Sequence, residues 1–144
     1  MLVQQILKEK SADGVITIKP GSSVEDAASL LSNKRIGSVV VSADGKSAAG
    51  ILSERDIVRE LGKRGTACMV DKVDDLMTKN LQTCACEDRA ETVLSRMTEG
   101  RFRHMPVIKG GEMVGIVTLG DVVKAQLTHL EHEKEALEGM IKGF

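Results

Sequence analysis

The chain has no tryptophan and no tyrosine, and its only aromatic residues apart from histidine are Phe102 and Phe144. That shortage excludes the stacked-ring platforms that hold single-stranded nucleic acid and the aromatic cages that hold quaternary ammonium ligands. Charge of either sign is not in excess. Twenty basic residues stand against 21 acidic ones, a net −1, so the basic surface of a nucleic-acid binder is missing and no such partner is expected. No apolar run approaches the roughly 20 residues of a membrane span. Residues 1–10 are amphipathic and lack the apolar core of a secretion signal. No membrane partner is expected, and the expected location is cytoplasmic. Cysteine is scarce and odd in number: Cys68, Cys84 and Cys86 read as reduced structural thiols. Cys84 and Cys86 form a Cys-x-Cys pair, but no second pair or nearby histidine completes a zinc site.

Enzyme signatures are absent too. The 14 glycines never fall as Gly-x-Gly, and neither a phosphate loop nor a nucleophile elbow occurs. His129 and His132 share a helical face with charged neighbours and read as solvated. His104 has no nucleophile to pair with. The expectation is a non-catalytic protein with no metal and no catalytic cofactor.

What is present is a repeat. Val24, Ala27, Ala28 and Leu31 give the apolar spacing of one helix face, and 66 residues later Ala90, Val93, Leu94 and Met97 give it again. Capping boxes are predicted at Ser22 with Glu25 and at Asp88 with Glu91. Thr17 maps onto Thr83 by the same offset. Each helix precedes a β-rich run (36–41 and 102–108), a glycine turn (Asp44-Gly45 and Gly110-Gly111) and a second short strand (50–53 and 115–118). Further helices open near Asp56 and Asp121. The predicted fold class is α+β (α/β): two β-α-β-β-α units, each marginal alone, packed sheet against sheet, with helices at both ends. The expected division is 1–66 for the first unit with the N-terminal helix, 67–128 for the second, and 129–144 for an extension of the last helix.

Gly50-Ile51-Leu52-Ser53-Glu54-Arg55-Asp56 and Gly115-Ile116-Val117-Thr118-Leu119-Gly120-Asp121, with His104-Met105-Pro106-Val107 between them, resemble paired CBS domains, the Bateman module. That resemblance implies a stand-alone regulatory module that binds an adenine-containing ligand (AMP, ADP, ATP, NAD(H) or an S-adenosyl compound) between the repeats. It further implies that the module signals to an effector protein in trans by a change of conformation. In the second repeat it places Asp121 on the ribose, Thr118 on ribose or phosphate, and Thr83, Cys84, Arg103, His104, Met105 and Pro106 around the base. The first repeat supplies the matching set Thr17, Ile18, Gly37, Ser38, Val39, Ser53 and Asp56. Arg55, Arg101 and Arg103 would meet phosphates. The second repeat fits the pattern better, because Ser53 replaces the commoner threonine and Val40 stands where Pro106 stands. Read without the resemblance, Asp56 and Asp121 serve as helix N-caps, with Ser53 and Thr118 as turn residues.

Val123, Leu127, Leu130, Lys134, Leu137 and Ile141 fall at alternating spacings of four and three, a short coiled-coil seam with one polar member. Leu2, Val3, Ile6 and Leu7 make a second apolar patch. Two unpartnered helical faces on a small chain predict a homodimer. A ligand-free dimerisation or interaction scaffold is the alternative reading.

Overall fold

The computed structural model describes residues 1–10 and 14–142, so Phe144 lies outside the described residues. The first half comprises β1 (Thr17–Ile18), α2 (Val24–Lys34), β2 (Ser38–Val41), β3 (Gly50–Ser53) and α3 (Glu54–Arg64), preceded by α1 (Val3–Glu9). A 3-10 turn (Gly65–Val70) and α4 (Val73–Leu76) lead to α5 (Ala90–Gly100), β4 (His104–Lys109), β5 (Glu112–Thr118) and the long α6 (Leu119–Ile141).

The two halves repeat the same strand pairing, less completely in the second. In the first, β1 runs parallel to β2 and β2 antiparallel to β3. In the second, the leading strand shrinks to one parallel bridge, Cys84 to Val107, beside the antiparallel pair β4–β5. The bonds Ser42 N–H to Ile18 O and Ile108 N–H to Cys84 O, both 2.9 Å, are 66-residue equivalents. Strand alternation sorts the side chains. Val39, Val41 and Leu52 face one helical core, and Met105, Val107 and Val117 face the other. Val40 and Ile51 turn the opposite way and pack with Met113 between the halves.

The leading helices are exchanged. α1 belongs to the first half by sequence, yet Val3 and Ile6 are buried in the core of the second half. α4 leads into the second half, yet Val73 is buried in the core of the first. The bonds that dock them are reciprocal: Val3 N–H donates to Asp88 O (2.9 Å) and Val73 N–H to Ser22 O (2.8 Å). In return Ala90 N–H donates to Met1 O and Val24 N–H to Asp71 O. These leader carbonyls satisfy the first N–H groups of α5 and α2, which helix geometry leaves unpaired. For that reason the predicted capping boxes shift. Ser23, not Ser22, caps α2 by accepting from Asp26 N–H at 3.1 Å. Arg89 stands at the start of α5 with no side-chain cap, and the Asp88 carboxylate accepts from Ala85 N–H instead.

The exchange explains two glycines. A Cβ on Gly50 would lie 2.5 Å from Met77 Sδ and 2.9 Å from the Thr78 carbonyl oxygen. A Cβ on Gly115 would lie 2.7 Å from Leu7 Cδ2. Each leader segment lies directly on a glycine of the other half's last strand, Gly50 in β3 and Gly115 in β5.

Candidate functional site

α3 and α6 begin in the same way. Ser53 caps α3 and Thr118 caps α6, each accepting from the N–H of the residue three positions on, Asp56 or Asp121. Each aspartate returns the bond by accepting from the backbone N–H of its cap. The two carboxylates are thus third-position partners in capping boxes rather than the caps themselves, because both helices start two residues earlier than their apolar spacing indicates. Their surroundings then differ. Asp56 Oδ2 accepts from Ser53 N–H and Oγ–H, both at 3.0 Å, and Oδ1 faces Arg59 at 3.3 Å. Asp121 Oδ2 accepts from Thr118 N–H at 2.9 Å and from Lys10 Nζ at 2.7 Å. Burial works to raise the Asp121 pKa, but the Lys10 ammonium and the Thr118 bonds prevail and hold it below the usual carboxylate value.

Asp56 opens into a cleft of about 390 Å³ between the halves. The first half lines it with Ile51, Ser53, Arg55, Asp56 and Arg59. The stretch 78–82 adds Thr78, Asn80, Leu81 and Gln82, and the second half adds Gly100, Arg101, Phe102, Arg103 and His104. Four arginines and one carboxylate therefore line the same cleft, with Arg59 in contact with the carboxylate. Arg101 is held there by an unusual backbone, with φ 55° in the left-handed region, as is its equivalent Arg35 at 53°. A non-glycine residue at positive φ is uncommon and strained. At Arg101 it ends α5 and turns the chain into the cleft. His104 is half-buried, and desolvation lowers its pKa. Asp56 and Glu54 oppose that shift, and Lys10 and Arg103 add to it.

Six of the residues predicted from the sequence meet in this cleft: Ser53, Arg55, Asp56, Arg101, Arg103 and His104. A neighbouring cleft of about 380 Å³ takes Gly37 and Thr118, and shares Arg55, Arg103 and His104 with the first. The others stand apart from both. Thr17 and Ile18 lie in β1, paired with Val40 and Val41. Ser38 pairs with Ser53, and Val39 is buried in the first core. Thr83 is exposed and its carbonyl accepts from Arg96. Met105 and Cys84 are buried in the second core, and burial pushes the Cys84 thiol up to about 11. Pro106 is buried and its carbonyl accepts from Cys84 N–H. The family pattern favours the carboxylate of the second repeat, Asp121, whereas the carboxylate that lines a cleft is that of the first, Asp56.

Arg59, Asn80 and Gln82 are cleft residues that the sequence reading missed. Arg59 carried a usable signal, since it lies one helical turn after Asp56. Asn80 and Gln82 precede β-type pairing in a stretch with no period.

The sequence profile of the CBS domain matches this chain twice, at residues 7–63 and 73–128. The chain is 36% identical over 141 residues to the mitochondrial CBS domain-containing protein CBSX3 of Arabidopsis thaliana, covering 94% of this chain and 68% of that one. Among solved structures it resembles the CBS-domain containing protein ATU1752 from Agrobacterium tumefaciens, with TM-score 0.82, 38% identity and coverage of 88% and 99%. It also resembles CBSX2 in complex with AMP, with TM-score 0.71, 29% identity and coverage of 88% and 96%.

Proposed function

The chain belongs to the CBS domain family, and on that premise we propose that it is a non-catalytic regulatory module that binds an adenine nucleotide in the cleft at Asp56. The observation that carries this reading is the composition of the cleft: one carboxylate among four arginines drawn from both halves. A carboxylate accepts two hydrogen bonds from a ribose diol, and guanidinium groups suit phosphate. With no Trp or Tyr in the chain, the base is held by aliphatic groups and backbone, with Ile51 and Leu81 lining the wall. The AMP bound by CBSX2 makes AMP the first ligand to try; ATP, NAD(H) and S-adenosyl compounds are the other candidates.

A ligand that touches both halves favours whichever arrangement it binds more tightly. A difference of about 1–3 kcal/mol suffices for ordinary allosteric coupling, and the change would pass to an effector protein. Because binding to the native state stabilises it by about 2.7 kcal/mol at 100 times Kd, millimolar AMP should raise Tm by several degrees. No shift with any of these compounds would contradict the sensor reading and leave the ligand-free scaffold.

The scaffold reading has its own support in α6, whose seam residues Val123, Leu127, Leu130, Lys134, Leu137 and Ile141 all remain exposed. We assign that seam to a second copy of the chain. α1 no longer counts toward a dimer, because its apolar face is buried within its own chain. Three free cysteines suit a reducing compartment such as the cytoplasm, and among the described residues no helix is long and apolar enough to cross a membrane.

A further inference from the structure

The pseudo-symmetry of the halves makes their differences informative, and the sharpest difference lies beside the two carboxylates. The leaders correspond at an offset of 70: Met1 with Asp71 and Val3 with Val73 make equivalent bonds, and Leu7 and Met77 cover equivalent glycines. In that register Lys10 corresponds to Asn80. Asn80 is short and lines the open cleft beside Asp56. Past Leu7 and Met77 the leaders diverge, since α1 continues as helix to Glu9 while Thr78 pairs with Ile51. The long Lys10 side chain reaches Asp121 from the end of α1. It donates to Asp121 Oδ2 at 2.7 Å and to the Ile116 carbonyl at 2.9 Å. The equivalent carbonyl in the first half, that of Ile51, accepts a main-chain bond from Thr78 N–H. Asp121 lines neither of the two clefts described above, whereas Asp56 lines the first of them.

We propose that Lys10 is a built-in occupant of the second ribose-acceptor position, so that each chain takes one adenine nucleotide, at Asp56, and not two. The chemistry is direct. A ribose diol would have to donate to the same carboxylate that Lys10 now holds, and displacing the ammonium would take its counter-ion from a part-buried cation and its donor from the Ile116 carbonyl. Among the described residues the cation paired with Asp56 is Arg59, at 3.3 Å and 60% exposed, which can swing into solvent at little cost. The exchanged leader helix thus decides which of two near-identical sites is available.

This inference rests on the nucleotide reading above, and titration calorimetry of the full chain with AMP separates the two. The expected result is one AMP per chain for the wild type and two for Lys10→Asn, which copies Asn80. The second site should vanish again in Lys10→Asn/Asp121→Ala. Lys10→Met, which keeps the apolar stem, gives the same readout should the asparagine variant fold poorly. The converse variant, Asn80→Lys, should weaken AMP at the Asp56 cleft by at least about tenfold. Two sites in the wild type, one site in folded Lys10→Asn and Lys10→Met, or unweakened binding by Asn80→Lys would each overturn the role of Lys10. No binding in any of these proteins would instead overturn the nucleotide reading itself, and this inference with it.

Discussion

Asp56 and Asp121 show how far one neighbour alters a side chain with an otherwise fixed setting. Both close a capping box on the first turn of a helix, and the two boxes match within a few tenths of an ångström. Asp56 has Arg59 one turn on, but the partner that sets Asp121 apart, the Lys10 ammonium, is 111 residues away in sequence, and so was not legible from local spacing. The capping role could be read from Ser53-x-x-Asp56 and Thr118-x-x-Asp121; the choice between them could not. His104 adds a pH dependence at the same scale. Burial lowers its pKa in the fold, while the unfolded chain titrates at about 6.5. Between those values the unfolded state holds a proton that the folded state lacks. The His104 contribution is therefore complete above about pH 6.5 and is lost as pH falls through that window. Urea midpoints at about pH 7.5 and about pH 5.5 should fall further for the wild type than for His104→Gln. Equal losses would mean that His104 is not desolvated.

At the scale of elements, helical and strand periods made the repeat legible, because apolar faces recur at a fixed offset in α2 and α5 and in the strands that follow. The partner of each leading helix was not legible. Leu2, Val3 and Ile6 and the later pair Val73 and Leu76 carry the same pattern, and a pattern says that a face is buried, not against what. The cap at Ser23 escaped for a related reason, since the neighbouring Ser22 offers its carbonyl to α4 instead of its side chain to α2. The exchange makes a test available at its two glycines. Gly50→Ala should cost about 2–3 kcal/mol and Gly115→Ala about 1 kcal/mol. A Cβ at 50 meets a main-chain carbonyl as well as Met77, whereas one at 115 meets only the flexible end of Leu7. Adding Leu7→Ala should recover part of the Gly115→Ala loss in a double-mutant cycle. Strict additivity would mean that α1 does not lie on β5 in solution.

For the whole molecule, the halves are held by three devices: the exchanged leaders, the Val40–Ile51–Met113 contact, and a bond from Met113 N–H to the Lys46 carbonyl at 2.7 Å. A cleft made from both halves is then a natural place for a ligand to act on their relative position. The seam on α6 remains outside this framework, with Leu127 62% and Ile141 83% exposed. Charges placed there should separate the copies of a dimer without touching the cleft. Leu127→Glu/Leu137→Glu is expected to sediment as a monomer and to keep the wild-type Tm response to AMP. A variant that stays dimeric would place the interface elsewhere. The most direct test of the central claim is the affinity for AMP by titration calorimetry, wild type against Asp56→Ala, with Asp56→Asn as the variant closest in shape. Loss of a charge-assisted bond to ribose predicts a drop of about 10- to 100-fold in both variants. Unchanged affinity in folded Asp56→Ala and Asp56→Asn would contradict the assignment of the ribose to Asp56.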